Sequence, residues 1–270
     1  MKKLLALSLV VLMILMSSLA LAEGTFRVGM ECNYAPFNWT QSEPNDFTVP
    51  IEGGQGYADG YDVQIARQIA EGLGKELVIV KTEWDGLPMG VTSGLFDAII
   101  AGMSPTEERK ATLDFSDPYY SSDLVVVVRK DSPFASAKSL AELSGANITG
   151  QLNTFHYTVI DQIPGVNRLN AMDTFPAMVV ALQSGVIDGY VAERPGAEAD
   201  TKANPDLTYV LFDEGQGFQA SQADVSIAVG LQKGSPLTAD INQILSGIDH
   251  ETRIQMMLDA TDRQPLNQDE

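Results

Sequence analysis

Apolar runs suited to buried strands alternate along the chain with segments whose apolar residues recur at helical spacing. In the first half, one predicted helix has an apolar face formed by Ile65, Ile69 and Leu73, and a glycine marks its end. The predicted elements are strands over 25–30, 76–80 and 96–102, with helices over 62–74 and 87–94. This βαβαβ order predicts an α/β fold with a buried, largely parallel sheet.

The same order restarts after an apolar strand over 124–130. The second set comprises helices over 139–145, 155–163 and 176–185, and strands over 147–152, 167–172 and 187–192. A strand over 225–231 and a helix over 236–250 follow. The polar, glycine-rich segment 38–59 predicts a long surface loop.

An internal repeat relates the two halves. "SGLFDAIIA" at 93–101 aligns with "SGVIDGYVA" at 184–192, an offset of 91 positions that places Asp97 on Asp188. The same offset places Trp84 on Phe175. We therefore expect two similar lobes. Because α/β sheets bind ligands at the carboxyl ends of their strands, two facing lobes predict a ligand cleft between them.

The first 22 residues resemble a secretory signal peptide. They combine Lys2 and Lys3, an apolar run too short to span a bilayer, and small residues before the predicted cleavage site. We therefore expect an exported protein that begins at Glu23 and works in the periplasm or cell-surface space.

Composition narrows the function further. The formal charge of −19 argues against nucleic acid or an anionic membrane surface as a partner. Cys32 is the only cysteine, so no intrachain disulfide can form. The two histidines lack metal-ligand spacing, and no motif calls for a metal or a cofactor.

The end of the first repeat strand, "AGMSPTEER", predicts an anion site. Ser104, Pro105 and Glu107 form a capping-box pattern at a helix start, where free backbone N–H groups donate hydrogen bonds to carboxylates. Arg109 lies one turn further and could fork onto a carboxylate, and Gly102 allows close approach to the backbone. An ordinary capped helix would show the same pattern.

The corresponding end of the second repeat strand, "YVAERPGA", predicts a cation site. Glu193 would face the first lobe and suits an ammonium group, although a surface pair with Arg194 is the alternative. An anion site facing a cation site describes a receptor for a zwitterion such as a free amino acid. Near the first strand, Glu31 and the aromatic Tyr34 and Phe37 could contact the side chain of such an amino acid. The alternatives are a solvated charge for Glu31 and core packing for the two aromatic residues.

The residues then resemble a known family: the polar amino-acid branch of bacterial extracytoplasmic solute-binding proteins that serve ABC transporters. The resemblance covers most of the chain from Glu23 onward. It rests on "VGMECNYAPFNW", "GYDVQIARQIAEGLG", "AGMSPTEERKATLDFSDPYY", "GQLNTF" and "SGVIDGYVAERP".

This resemblance implies an α/β, two-lobed periplasmic-binding-protein-like fold of type II, with two hinge crossings and a ligand cleft. We expect lobe 1 to comprise 23–120 and 222–270, and lobe 2 to comprise 121–221. The first crossing would be "SSDLVVVV" and the return would lie near 218–226.

The resemblance also implies individual roles. Arg109, with Ser104 and the backbone near Gly102, would clamp the ligand carboxylate, and Glu193 would bind its ammonium. In the second lobe Thr154 would add a hydrogen bond, although Asn153 and Phe155 depart from the family's pattern around it. The remaining implied contacts are stacking on the ligand side chain by Tyr34 and Trp84, and an acidic contact from Glu31.

The leading hypothesis is therefore a monomeric binding protein that delivers a free amino acid to a membrane permease of the ABC-transporter class. Glu31 and Glu193 favour a cationic ligand such as arginine, lysine or ornithine, with glutamine as the alternative. An exported enzyme on the same scaffold, such as a dehydratase, is the second hypothesis. His156 and His250 lie outside the site motifs, and Glu31 or Glu193 could serve as its general acid, although ammonium binding explains these carboxylates equally well.

Overall fold

The computed structural model describes residues 24–265, so the predicted signal peptide lies outside the described part of the chain. The strands are β1 Thr25–Met30, β2 Asn33–Tyr34, β3 Asn38–Gln41, β4 Val49–Pro50, β5 Tyr57–Asp59, β6 Glu76–Lys81, β7 Ala98–Ile99, β8 Leu113–Phe115, β9 Tyr120–Ser121, β10 Leu124–Arg129, β11 Asn147–Thr149, β12 Asn167–Arg168, β13 Gly189–Glu193, β14 Leu207–Val210, β15 Ser226–Ile227 and β16 Gly230–Gln232.

The helices are α1 Tyr61–Gly72, α2 Leu87–Thr92, α3 Glu107–Lys110, α4 Phe155–Thr158, α5 Phe175–Gln183, α6 Arg194–Ala203, α7 Thr238–Ser246 and α8 His250–Arg263. Short 3₁₀ turns cover Trp84–Gly86, Leu140–Leu143 and Val159–Gln162. Within residues 24–265, no helix is both long and apolar enough to span a bilayer.

Two five-stranded sheets form the cores of two lobes. The first has the order β6-β1-β7-β16-β8, in which β1 runs parallel to β6 and β7 and the late strand β16 is antiparallel to both neighbours. The second has the order β12-β11-β13-β10-β14, with β11, β12 and β13 parallel. The predicted α/β class and two-lobed arrangement are confirmed.

The chain passes between the lobes at two segments that pair with each other. In this pairing β9 lies antiparallel to β15, with Ser121 opposite Ser226 and Tyr120 opposite Ile227. The apolar part of "SSDLVVVV", predicted as a crossing, is instead β10, an inner strand of the second sheet, because four consecutive buried valines require cover on both faces.

The internal repeat has the same structural role in both lobes. The Asp97 carboxylate accepts the backbone N–H of Arg27 at 2.8 Å, and the Asp188 carboxylate accepts that of Asn147 at 2.9 Å. Each aspartate therefore ties the turn before an inner strand to the neighbouring parallel strand. The short pattern is repeated because each lobe needs the same connection.

Three predicted elements are wrong. Segment 38–59 is not a loop: β3, β4 and β5 form an antiparallel sheet with β2, since its apolar positions pack inward. The predicted strand 225–231 divides into β15, in the crossing, and β16, in the first sheet. The predicted helix 236–250 ends at Ser246, and helix α8 follows it unpredicted, because its sparse apolar residues give only a weak pattern.

Candidate functional site

A narrow pocket lies between the lobes, at the carboxyl ends of the central strands. Six of the eight residues expected at the site line it: Tyr34, Trp84, Gly102, Ser104, Arg109 and Thr154. The other lining residues are Ala101, Gln151, Phe155 and His156. The remaining two expected residues, Glu31 and Glu193, lie one hydrogen bond behind the lining.

Arg109 provides the positive charge in the pocket. Its guanidinium donates to the Ser104 carbonyl at 2.9 Å and to the Asn153 carbonyl of the opposite lobe at 3.1 Å. It also lies over the Trp84 ring, 5.1 Å from the ring centroid. Burial lowers the pKa of Arg109 to about 10, which leaves it charged at neutral pH.

The helix that carries Arg109 begins two residues later than expected. Thr106 is the N-cap of α3, and its hydroxyl accepts the backbone N–H of Arg109 at 3.3 Å, so the predicted capping box at Ser104 is wrong. The Ser104 carbonyl instead faces the Arg109 guanidinium. Ser104 is buried beside the pocket without starting the helix.

Aromatic rings close the pocket from both lobes. Tyr34 stacks against Phe37 of its own lobe, with centroids 5.0 Å apart, and against Phe175 of the other lobe at 4.2 Å. Gly102, at φ 62°, leaves room for Tyr34, since an added Cβ would lie 3.2 Å from that ring. Trp84 and Phe175, related by the repeat offset, thus both lie at the cleft, each at the start of a helical segment.

Glu31 is a buried carboxylate, 3% exposed, at the end of β1. The Gln151 amide from the opposite lobe donates to its two oxygens at 3.2 and 3.3 Å, and also to the Asp173 carbonyl at 3.0 Å. Burial raises the pKa of Glu31 to about 7, although the Gln151 hydrogen bond acts in the opposite direction. Glu31 can therefore change its charge near neutral pH.

Glu193 ends β13 and is buried under two neighbours. Its Oε2 accepts a hydrogen bond from the Tyr34 hydroxyl of the other lobe and lies 2.9 Å from His156 Nε2. Burial by itself would raise the pKa of Glu193, but the charge and hydrogen bond of His156, with the Tyr34 hydroxyl, hold it below its ordinary value. Glu193 is thus an ionised carboxylate.

Thr154 is placed by the turn that precedes α4. Its hydroxyl donates to the Gln151 carbonyl at 2.7 Å, which fixes the loop that carries both side chains. Asn153, in the left-handed region at φ 55°, turns its amide to donate to Asp85 of the first lobe at 2.9 Å. Asn153 thus makes a contact between the lobes.

Sequence reasoning missed two polar residues of the pocket, Gln151 and His156. His156 was excluded because it lies outside the expected motifs, and the structure corrects this: it lines the pocket and contacts Glu193. The available signal was its position two residues after Thr154, where α4 turns it back toward β13. His250 begins the C-terminal helix, away from the pocket lining.

A two-lobed α/β fold with a charged pocket between the lobes is typical of binding proteins whose lobes close around a ligand. Residues 26–259 match the model of the bacterial extracellular solute-binding proteins, family 3. The chain belongs to this family. The fold is therefore the type II form expected from the sequence.

Similar proteins are described as amino-acid-binding proteins. The chain is 32% identical to a probable histidine-binding protein of Campylobacter jejuni, over 72% of this chain and 70% of that protein. It is 25% identical to the arginine-binding extracellular protein ArtP of Bacillus subtilis, over 85% and 83% of the two chains. An amino acid ABC transporter substrate-binding protein from Streptococcus pneumoniae, solved bound to L-arginine, superposes with a TM-score of 0.76 at 26% identity, over 89% of this chain and 95% of that one.

Proposed function

We propose that this protein is the exported substrate-binding component of an amino-acid ABC transporter, and that it binds a free polar amino acid, preferably a cationic one. The observation that carries the proposal is a pair of opposite charges at one pocket. Arg109 of the first lobe lines the pocket, and the carboxylate of Glu193 in the second lobe lies directly behind the lining. This pair matches the carboxylate and the ammonium group of a zwitterion.

Lobe closure is the mechanism that we propose. The ligand carboxylate would replace the carbonyl contacts of the Arg109 guanidinium, and Ser104, Gly102 and Thr154 would surround it. Because these groups come from both lobes, the ligand gains its full contacts only when the lobes close, and this difference drives closure. The proposal keeps the lobe boundaries at residues 120 and 222, beside the paired crossing strands.

The preference for a cationic side chain rests on Glu31. A guanidinium or ammonium group that reached Glu31 would take the place of the Gln151 amide and favour the ionised carboxyl. Trp84 and Tyr34 would stack along the apolar part of the side chain. Glutamine is the alternative ligand, because its amide could donate to Glu31 in the same way.

A thermal-shift screen of residues 23–270 tests the proposal directly. The protein is unfolded and refolded to remove bound ligand and then tested with the twenty amino acids, ornithine and cystine. A ligand present at about 100 times its Kd stabilises the native state by about 2.7 kcal/mol. We expect the largest shift with arginine, lysine or ornithine. A shift with glutamine alone would retain the amino-acid site and discard the cationic preference, and the absence of any shift would contradict the proposed function.

Glu31→Gln is expected to weaken the binding of arginine or lysine at pH 8 by about tenfold or more, and that of glutamine by less, because only a cation needs the charge. In the wild type, affinity for arginine falls as the pH drops from 8 to 6, since Glu31, with its pKa of about 7, takes up a proton. In Glu31→Gln the affinity for arginine should change less between these two pH values. Isothermal titration calorimetry at pH 8 and pH 6 measures the affinities of both proteins.

The control for this variant is Glu83→Gln. Glu83 is exposed, and its charge acts on Glu31, but it makes no bond to Gln151. Glu83→Gln removes one negative charge, as Glu31→Gln does. Equal losses for arginine and glutamine in Glu31→Gln would show that Glu31 does not select the side chain.

A further inference from the structure

His156 is buried beside the pocket with one ring nitrogen bonded and the other without a partner. Its Nε2 lies 2.9 Å from Glu193 Oε2, whereas its Nδ1 has no hydrogen-bond partner among residues 24–265. A buried polar atom without a partner costs free energy, so native structures keep such atoms where a ligand or water completes them. Because His156 lines the pocket, the ligand is in a position to supply the missing partner.

The hydrogen bond to Glu193 fixes what Nδ1 can do. Glu193 Oε2 already accepts a hydrogen bond from the Tyr34 hydroxyl and lies 2.9 Å from Nε2, so it acts as an acceptor here and the hydrogen of this bond belongs to Nε2. In the neutral imidazole Nδ1 is then an acceptor with a free lone pair. A carboxylate on the opposite N–H also makes the free nitrogen a stronger acceptor.

Glu193 itself is poorly placed for direct contact with a ligand in this conformation. Its Oε2 already accepts from Tyr34 and contacts His156, and Glu193 does not line the pocket. His156 and Tyr34, which both line the pocket, contact this same oxygen, so the pocket is linked to Glu193 through these two side chains.

We propose, on the basis of the proposed function, that His156 Nδ1 accepts a hydrogen bond from the α-ammonium group of the bound amino acid, while its Nε2–H remains on Glu193. His156 and Glu193 thus act together as the ammonium site. The specificity this gives is for a primary α-amine over a ligand that lacks one. It also requires a neutral imidazole, because a protonated His156 has no lone pair and repels the ammonium group.

His156 is enclosed by side chains of both lobes. Glu193 and Tyr34 meet at the carboxylate oxygen beside it, Phe175 covers it edge-on, and Arg109 lines the same pocket.

The test uses His156→Gln, which keeps an amide N–H near the position of Nε2 and removes the acceptor at Nδ1. Binding of L-arginine, L-histidine and L-glutamine is measured by calorimetry from pH 5 to 8, alongside 5-guanidinopentanoic acid, the des-amino form of arginine. At pH 8 we expect the variant to bind the amino acids about tenfold to a hundredfold more weakly, as for a lost hydrogen bond to a charged group. Its affinity for the des-amino acid should stay within about threefold of wild type.

The imidazole signals provide a readout that a purely structural role would not change. In ¹⁵N spectra of the wild type, the amino acid should shift the Nδ1 signal of His156 as an acceptor, with Nε2 still protonated. His250→Gln assigns the imidazole signals of the second histidine. It is also the matched control, and its affinity should equal that of the wild type.

The outcomes separate the two proposals. Amino-acid binding by the wild type with an unchanged His156→Gln affinity, or with equal losses for the des-amino acid, would overturn the role of His156 and leave the proposed function intact. Absence of binding of all three amino acids by the wild type would overturn both. If His156→Gln fails to fold, as judged by circular dichroism, an unmoved Nδ1 signal in the wild type still contradicts the proposal.

Discussion

Replacement of Arg109 by alanine is expected to weaken amino-acid binding at least about 100-fold while the protein stays folded. The guanidinium is the positive charge of the pocket lining, and a carboxylate left without its partner in a desolvated site costs several kcal/mol. The fold survives because Arg109 lies on the four-residue helix α3, whose residues are not part of the buried core. Calorimetry with arginine and glutamine measures the loss, and circular dichroism reports the fold.

Lys110→Ala is the matched control for this experiment. Lys110 lies on the same helix and pairs with Glu107 at 2.9 Å on the surface, so its removal changes the net charge equally without touching the pocket. Its affinity should equal that of the wild type. An unchanged affinity in Arg109→Ala would mean that the ligand carboxylate binds elsewhere.

Glu193→Gln is expected to weaken the binding of an amino acid about 100-fold, and that of its des-amino analogue less than about threefold. The substitution keeps the size of the side chain and an oxygen that can accept from Tyr34, but it removes the charge that balances the ammonium group. Only ligands with an ammonium group depend on that charge. Paired titrations with arginine and 5-guanidinopentanoic acid measure the difference.

Glu198→Gln is the corresponding control, because Glu198 lies on the helix that follows Glu193 and pairs with Arg194 at 2.8 Å on the surface. It should leave both affinities unchanged. Equal losses for the amino acid and its des-amino analogue in Glu193→Gln would show that the carboxylate supports the fold of the pocket and does not recognise the ammonium group.

Contacts between the lobes add a conformational cost to binding. Arg109 and Tyr34 of the first lobe already bond to Asn153 and Glu193 of the second. A ligand must replace these bonds with stronger ones, so the measured affinities report a difference between two sets of contacts. Arg109→Ala also removes the contact to Asn153 in the ligand-free protein, so its loss of affinity includes this conformational effect.

Several features followed from local sequence alone. Strand β1 and helix α1 were predicted to within two residues at each end, because their apolar periodicity is strong and Gly74 marks the end of the helix. The offset of 91 positions placed Asp97 and Asp188 in equivalent turns and brought Trp84 and Phe175 to the cleft. These features could be predicted because they depend on patterns that can be read directly from the sequence.

Other features depend on contacts between distant segments. Strands β3 to β5 are short and polar on one side, so their pairing shows only when β2 and β6 lie beside them. Thr106 rather than Ser104 caps α3, since the Ser104 carbonyl is needed by Arg109. Both residues carry a hydroxyl that can cap a helix, so local pattern cannot choose between them.

The sequence by itself determined the α/β class, the two lobes, and the residue types that give the cleft its opposite charges. Only the tertiary structure showed that Gln151 and His156 also line the pocket, beside six residues expected there. It placed Gln151 in front of Glu31 and His156 in front of Glu193, 120 and 37 positions away along the chain respectively. The physical reason is that a buried carboxylate must find a hydrogen-bond donor, and folding, not local spacing, determines which donor lies within reach.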